Sequence, residues 1–284
     1  MAINASDVKK LRDATGAGMM DCKKALTQAD GDFAKAEKIL KEMGLAAVAK
    51  RQDRATENGR TFVAVKGNKA VLLSLSCETD FVASNAEFAK LGNNLCQVIL
   101  EKGYTEINDE LKGMVNDLIA VIKENMNLVK FAVYDIPENG YASTYVHGEG
   151  AVSVLVVLTA ENPEAFKEAD VEEFAHDLAL HVAAYKPQFL NAQVVPEDYK
   201  EEQLSIFRAQ VAQDEKLASK PEKVKEGIIN GKLSKLYKEV CFVEQAFVKD
   251  DTKSVKQALA DVAKAHGTKM DVVSYCFYQA GVNG

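Results

Sequence analysis

Covalent chemistry would need a nucleophile beside a base, a metal-ligand array or a phosphate cradle, and the sequence offers none of these in legible form. The five cysteines (Cys22, Cys77, Cys96, Cys241, Cys276) are odd in number and no pair has the Cys-x-x-Cys spacing. Free buried thiols in a reducing compartment are therefore the expectation. The four histidines (His147, His176, His181, His266) form no His-Glu-x-x-His array, so no metal site is expected. Gly16-Ala17-Gly18 has the composition of a phosphate-binding loop, but no strand precedes it and no Gly-Lys-Ser/Thr follows. It reads as a turn between two helices. The acidic runs Glu172-Glu173 and Glu201-Glu202 fall on helical surfaces. No Ser or Cys has a base that spacing identifies, and an enzyme built on Cys77 or Cys22 would need a perturbed thiol in a cleft. No catalytic residue and no cofactor are expected.

The chemistry the residues do offer is that of recognition. In a helix over Met19 to Ala29, the inward stripe is Cys22, Ala25, Leu26 and Ala29. At about 100° per residue, Met19 lies at the edge of that stripe and Met20 nearly opposite it, beside Lys23 and Lys24. A flexible thioether among lysines suits a binding surface; the alternatives are a tolerated surface Met or one buried against a larger domain. Glu78-Thr79-Asp80-Phe81-Val82 lies between a strand end and a helix start, where loops commonly carry function. Phe81 at such a tip either folds back onto its own core or inserts into a partner, and Asp80 supplies a polar contact beside it. His147 ends a strand beside a glycine-rich turn. On pleat geometry it shares a face with Tyr141, Ser143 and Tyr145, either a polar contact face or a solvated strand end. His181 falls on the apolar stripe Phe174, Leu178, Tyr185 and reads as a hydrogen-bonded core histidine, whereas His176 faces away.

The elements that must position these residues follow from periodicity and turn chemistry. Residues 6 to 43 read as three short helices. Ser6 caps the first, which buries Val8 and Leu11 and stops at Thr15-Gly16. Asp32 caps the third, which buries Phe33, Ala36, Leu40 and Met43 and ends at Gly44. So small a bundle is marginal alone and is expected as an appendage. Lys50 to Arg60 reads as a linker. Arg60–Lys66 and Lys69–Ser76 form a hairpin about Gly67-Asn68. A loop follows over Cys77 to Ala83, and Ser84 with Glu87 marks the next helix start. That helix carries the stripe Phe88, Leu91, Leu95, Ile99; another over Asp109 to Lys123 carries Leu111, Met114, Leu118, Ile122. Leu128–Ile136, Tyr141–His147 and Ala151–Thr159 read as a three-stranded meander, followed by a helix over Val171 to Tyr185 that Lys186-Pro187 ends. Two rounds of strands then helix hint at a duplicated α+β unit. The stripes Leu204, Phe207, Val211 and Ile229, Leu233, Leu236, Val240, with a capping pattern at Ser219–Glu222 between them, read as an antiparallel helical hairpin. Strand Cys241–Val248, a helix with Val255, Leu259 and Val262, and the apolar stretch Val272–Tyr278 close the chain.

Composition narrows the partner class. The chain has 284 residues, 47% of them hydrophobic, enough for two or three packed units. Its formal net charge of −7, from 42 acidic and 35 basic side chains, argues against bulk binding of nucleic acid. Met1 to Lys10 holds no signal-like apolar stretch, and the longest apolar run, Ala151–Ala160, is half what a bilayer span needs. No membrane association is expected, and a cytoplasmic protein is.

Leu11-Arg12-Asp13-Ala14-Thr15-Gly16-Ala17-Gly18-Met19-Met20-Asp21-Cys22-Lys23-Lys24-Ala25-Leu26 is similar to the N-terminal signature of the elongation factor Ts family, and Thr79-Asp80-Phe81-Val82-Ala83 to its second signature. His181-Val182-Ala183-Ala184 with Lys186-Pro187, and Lys220-Pro221 to Val240, extend the resemblance in order over the whole chain. It implies an α+β fold: an N-terminal three-helix, ubiquitin-associated-like bundle (1–55), a duplicated core with antiparallel sheets (56–140, then 141–195 with 241–265), an inserted coiled-coil hairpin (196–240) and a C-terminal module (266–284). It further implies a guanine nucleotide exchange factor whose partner is elongation factor Tu. Arg12, Met19, Met20 and Lys23 match contact positions on the partner's nucleotide-binding domain. Thr79, Asp80, Phe81 and Val82 match the loop that intrudes beside the partner's magnesium and phosphate site, and His147 a contact near it. The hairpin corresponds to an insertion that takes part in self-association in some members of the family. The alternative is a protein-binding adaptor without exchange activity. Three departures stand out: Gly148-Glu149-Gly150-Ala151-Val152 lacks the arginine common after the histidine, Ser84 replaces a basic residue, and Ala246 stands where proline is frequent.

Overall fold

The computed structural model describes residues 3–281, apart from the side chains of Leu45 and Ala47. The last three residues of the expected C-terminal module lie outside them. The fold is α+β with small sheets, and the described residues divide into two compact units, one of residues 3–135, 146–153 and 278–281, the other of 136–145 and 154–277.

The first unit opens with α1 (Ala5–Thr15), α2 (Met19–Gln28) and α3 (Phe33–Ala49). Asn4, rather than Ser6, caps α1: its side-chain oxygen accepts from the Asp7 amide at 2.8 Å. Gly16 ends that helix in the left-handed region, and Asp32 caps α3, as the sequence predicts. Val8, Leu11, Cys22, Ala25, Leu26, Ala29 and Ala36 make the bundle's small core. Gly44 does not stop α3. The helix runs five residues further, to Ala49, and a Cβ at position 44 would stand 2.9 Å from the Ala120 Cβ. The glycine is a close-approach point between helices instead of a C-cap. Because of this packing the bundle is part of a larger unit rather than an appendage.

Next come β1 (Asn58–Lys66), β2 (Lys69–Cys77), the one-turn helix α4 (Asp80–Ala83), α5 (Ala86–Lys102), α6 (Asp109–Ile122) and β3 (Met126–Asp135). β2 is apolar and buried on both faces, so it takes the centre of an antiparallel sheet and needs a partner along each edge. β1 pairs from Lys66↔Lys69 to Asn58↔Cys77, and β3 from Lys69↔Asp135 to Cys77↔Met126. β3 therefore does not join the expected meander. α5 and α6 cover one face with the predicted stripe Phe88, Leu91, Leu95 and Ile99, joined by Leu111, Val115 and Ile119. The start of α5 is capped by Asn85, which accepts from Glu87 N at 2.8 Å, because Ser84 already closes the C-terminal end of α4, its amide donating to the Asp80 carbonyl.

The second sheet has the order β4 (Gly140–His147), β5 (Val152–Ala160), β8 (Met270–Gln279). α7 (Ala169–Tyr185) buries Phe174, Leu178 and Val182. The helices α8 (Glu197–Gln213), α9 (Glu215–Ala218) and α10 (Glu222–Val240) follow. α8 packs on α10, with Lys232 Nζ donating to Gln210 Oε1 at 2.8 Å. Ser219 does not cap α10; it ends α9, and Pro221 precedes α10 without a side-chain cap. Cys241–Val248 is not one strand. Cys241, Phe242, Gln245 and Phe247 are all buried, a spacing that alternating faces do not allow. A 3₁₀ turn over Phe242–Glu244 is followed by β6 (Ala246–Phe247), which pairs with β7 (Asp250–Ser254) before α11 (Val255–Ala265).

His181 is the core histidine its stripe predicts. It is fully buried and stacks with Tyr185 and Phe242. Its Nδ1 accepts from Val248 N at 3.2 Å, so its Nε2 carries the proton and donates to Gln245 Oε1 at 2.9 Å. Burial holds the imidazole below its ordinary pKa of 6.5. The unfolded chain thus takes up this proton first as pH falls, and stability present above about pH 6.5 is lost progressively below it. His181→Gln should melt lower at pH 7.5 yet show a flatter fall toward pH 5.5, measured by thermal denaturation at both values.

Candidate functional site

The residues expected to contact a partner all lie in the first unit, on α1, on α2, at the α4 turn and at the end of β4. Met20 on α2 is 76% exposed and Met19 42%. Arg12 and Lys23 are exposed on α1 and α2. Met20 therefore points away from the bundle core and is not buried against the rest of the unit.

The stretch read as a loop over 77–83 contains a single helical turn, α4. A helix this short does not hold itself together, because one turn fixes several dihedrals for one hydrogen bond. Its two ends are held instead. Val82 and Ala83 are buried in the core that α5 and α6 line. At the other end, the Thr79 hydroxyl accepts from Val82 N at 3.3 Å and donates to the Glu124 carboxylate at 3.0 and 3.1 Å. The Cys77 thiol donates to the Thr79 carbonyl at 3.2 Å. Burial, with the Glu124 charge beside it, pushes that thiol up to about 12, so it is inert at neutral pH. With its frame so fixed, the turn points Asp80 and Phe81 outward. Phe81 is 84% exposed and its amide donates to its neighbour's Asp80 Oδ1 at 2.9 Å. Folding back onto the core is not what this phenylalanine does.

Two adjacent residues after α6 bracket these groups. Lys123, at φ 69° where α6 ends, reaches Asp21 Oδ2 at 3.3 Å on α2, next to Met20. Glu124 takes the Thr79 hydroxyl. Buried Asn125 then pins the supposed linker: its side-chain amide donates to the Arg54 carbonyl at 2.8 Å, and its backbone amide to Glu78 Oε1 at 2.6 Å.

His147 is exposed at the end of β4. Gly148, Glu149 and Gly150 after it have φ of 55°, 54° and 101°, so a non-glycine residue sits in the left-handed region. β1 holds this turn. The Arg60 guanidinium meets Glu149 at 3.0 Å, and the Thr61 hydroxyl donates to the Gly150 carbonyl at 3.0 Å. A Cβ on Gly150 would stand 2.8 Å from the Thr61 carbonyl oxygen, so glycine is required there. The departure that removes an arginine from this turn thus leaves a carboxylate, which an arginine from β1 pairs. The same strand's Asn58 Nδ2 donates to the Glu78 carbonyl at 2.9 Å.

Sequence reasoning missed Asp21, Lys123, Glu124, Asn125 and Arg60, because each acts on residues distant in the chain. The one local signal was Lys-Glu-Asn between a helix end and a strand start, three polar residues where a short connection would do. Among the described residues no group of three or more His, Cys, Asp or Glu is placed to hold a metal ion, and no helix is long and apolar enough to cross a membrane.

Comparison with known proteins adds a family. A sequence model of the family described as "Elongation factor TS" matches residues 78–282. The chain is 44% identical to "Elongation factor Ts" of Treponema denticola over 282 residues, covering 99% of each chain. It is 43% identical to that of Treponema pallidum (strain Nichols) over 293 residues, with 99% of this chain and 100% of the relative covered. It is 39% identical to that of Borrelia hermsii over 282 residues, again 99% and 100%.

Proposed function

This chain belongs to the elongation factor Ts family, with the role in translation elongation that membership carries, and on that premise we propose that it is a guanine nucleotide exchange factor. It binds elongation factor Tu carrying GDP, disturbs the magnesium and phosphate site, and releases the nucleotide. The observation that carries this reading is the exposed Phe81 on a turn anchored at both ends. An aromatic ring held out into water at the tip of a fixed support is poised to enter another protein, and Asp80 beside it adds a polar contact.

In this reading the bundle presents Arg12, Met19, Met20 and Lys23 to the partner's nucleotide-binding domain, while Thr79 and Val82 hold Asp80 and Phe81 as the wedge. His147 makes a second contact near it. The segment 196–240 serves self-association, and 266–284 a further contact. The factor binds the empty GTPase more tightly than the filled one, and by linkage lowers nucleotide affinity by the same factor. No covalent bond is made or broken, so the factor is not an enzyme in the covalent sense and needs no cofactor. It acts in the cytoplasm, on a protein and not on nucleic acid.

The test is release of a fluorescent GDP analogue from elongation factor Tu against excess unlabelled GDP. Acceleration at catalytic concentrations of this protein is expected. Tight binding without acceleration would leave an adaptor, and absence of binding would overturn the partner. In the same assay Met20→Ala should raise the half-saturating concentration roughly fivefold, as loss of a partly buried contact does. Its melting temperature should stay unchanged, because the side chain is solvent-facing; a large drop would make Met20 part of the fold.

A further inference from the structure

Thr79 is asked to do two things with one hydroxyl, and the direction of its proton decides whether it can. The oxygen has one proton to give and two lone pairs to accept with. It accepts from Val82 N, a long bond at 3.3 Å, only while its own proton points elsewhere. Glu124 fixes that: both carboxylate oxygens lie within 3.1 Å of the hydroxyl, so the proton is drawn to the carboxylate and a lone pair is left facing Val82. A hydrogen bond to an ionised acceptor is about twice as strong as a neutral one. The carboxylate itself sits where α6 ends, between Lys123 and the buried Asn125, whose backbone amide is tied to Glu78. It therefore belongs to the connection between α6 and β3 and not to the turn.

We propose that Glu124 is a positioning residue for the Asp80–Phe81 turn: through the Thr79 hydroxyl it sets the direction in which the exposed ring is presented to the partner. The inference rests on the exchange reading above. It concerns the maximal rate rather than the affinity, because the exposed docking side chains of α1 and α2 do not depend on Thr79.

Exchange is measured against factor concentration for Glu124→Ala, Glu124→Gln, Thr79→Val and the double variant Glu124→Ala/Thr79→Val. Glu124→Ala should lower the maximal rate of GDP release roughly tenfold, while the half-saturating concentration moves by less than about threefold. Glu124→Gln keeps an acceptor oxygen for the hydroxyl and should recover most of the rate. The double variant should be no slower than Thr79→Val, since both changes break one link. A merely structural role would lower the melting temperature and affinity together, without rescue by glutamine, and would overturn the proposal; so would additive effects in the double variant. If Glu124→Ala does not fold, Thr79→Val still tests the proposal: a full rate there overturns it, because Glu124 acts only through that hydroxyl, and Thr79→Ser, which keeps the hydroxyl, should keep the rate. Phe81→Ala separates the two layers. Full exchange in that variant removes the wedge reading itself, whereas loss there with full exchange in Glu124→Ala removes only the role of Glu124.

Discussion

Phe81→Ala leaves the melting temperature within about 1 °C and cuts the maximal rate of nucleotide release by about tenfold or more. The first half follows from burial. The ring is 84% exposed, so its removal takes no apolar surface out of the core and opens no cavity. The turn keeps its frame, since Val82 and Ala83 stay buried and Thr79 stays bonded to Glu124. The second half follows from where an interface keeps its energy: a few aromatic anchors dominate, and about 1.4 kcal/mol is tenfold in a rate. Stopped-flow release of a fluorescent GDP analogue, paired with a thermal melt, checks both halves. A full release rate would end the wedge assignment, and a marked fall in melting temperature would make Phe81 a stabilising residue instead.

Phe88→Ala is expected to do the reverse. This ring stands on α5, fully buried, with its centroid 6.5 Å from that of Phe62 on β1. Replacing it leaves a cavity between sheet and helix, which costs about 3–5 kcal/mol. Domains are stable by about 5–15 kcal/mol, so the unit that carries the site would be brought close to unfolding. Urea unfolding should show the midpoint falling with little change in slope. A cost under about 1 kcal/mol would mean that α5 closes over the gap. Gly92, one turn further along the same helix, argues against easy closure: a Cβ there would lie 2.2 Å from the Phe62 ring, so helix and strand are already in tight contact.

The contrast between the two phenylalanines shows what sequence conveyed. Periodicity placed Phe88, Leu91, Leu95 and Ile99 on one buried face, because a helix repeats its geometry and a stripe is a local property. It also turned Met20 outward and His181 inward. Periodicity had no means to decide Phe81, which sits in a single turn with no repeat to read. Its exposure comes from anchors at Thr79, Val82 and Glu124, and the last of these is separated from it by two helices. Caps differ from the sequence expectation where two polar residues compete: Asn4 displaces Ser6, and Asn85 displaces Ser84. Gly44 differs because a glycine that ends a helix and one that lets another helix approach are alike in sequence, and only the packing of Ala120 against it distinguishes them. The meander failed for a related reason. β2 is buried on both faces and recruits β3 from across three helices, which no reading of consecutive strands anticipates. The hairpin stripes were legible, yet Phe207, Ile229, Leu233 and Leu236 are only half-buried in the chain itself.

The five cysteines are all free and all buried. Burial pushes Cys77 and Cys96 up to about 12 and Cys241 to about 11, so these three hold almost no thiolate at pH 8. An alkylating reagent must then wait for the backbone around each thiol to open, and its rate becomes a measure of that opening. Cys77 and Cys96 would report on the first unit and Cys241 on the second, giving a residue-resolved map of local unfolding from mass spectrometry alone. For the same reason a cysteine introduced at exposed Ser84 would react first, and a dye could be placed beside the Phe81 turn without removing a single native thiol.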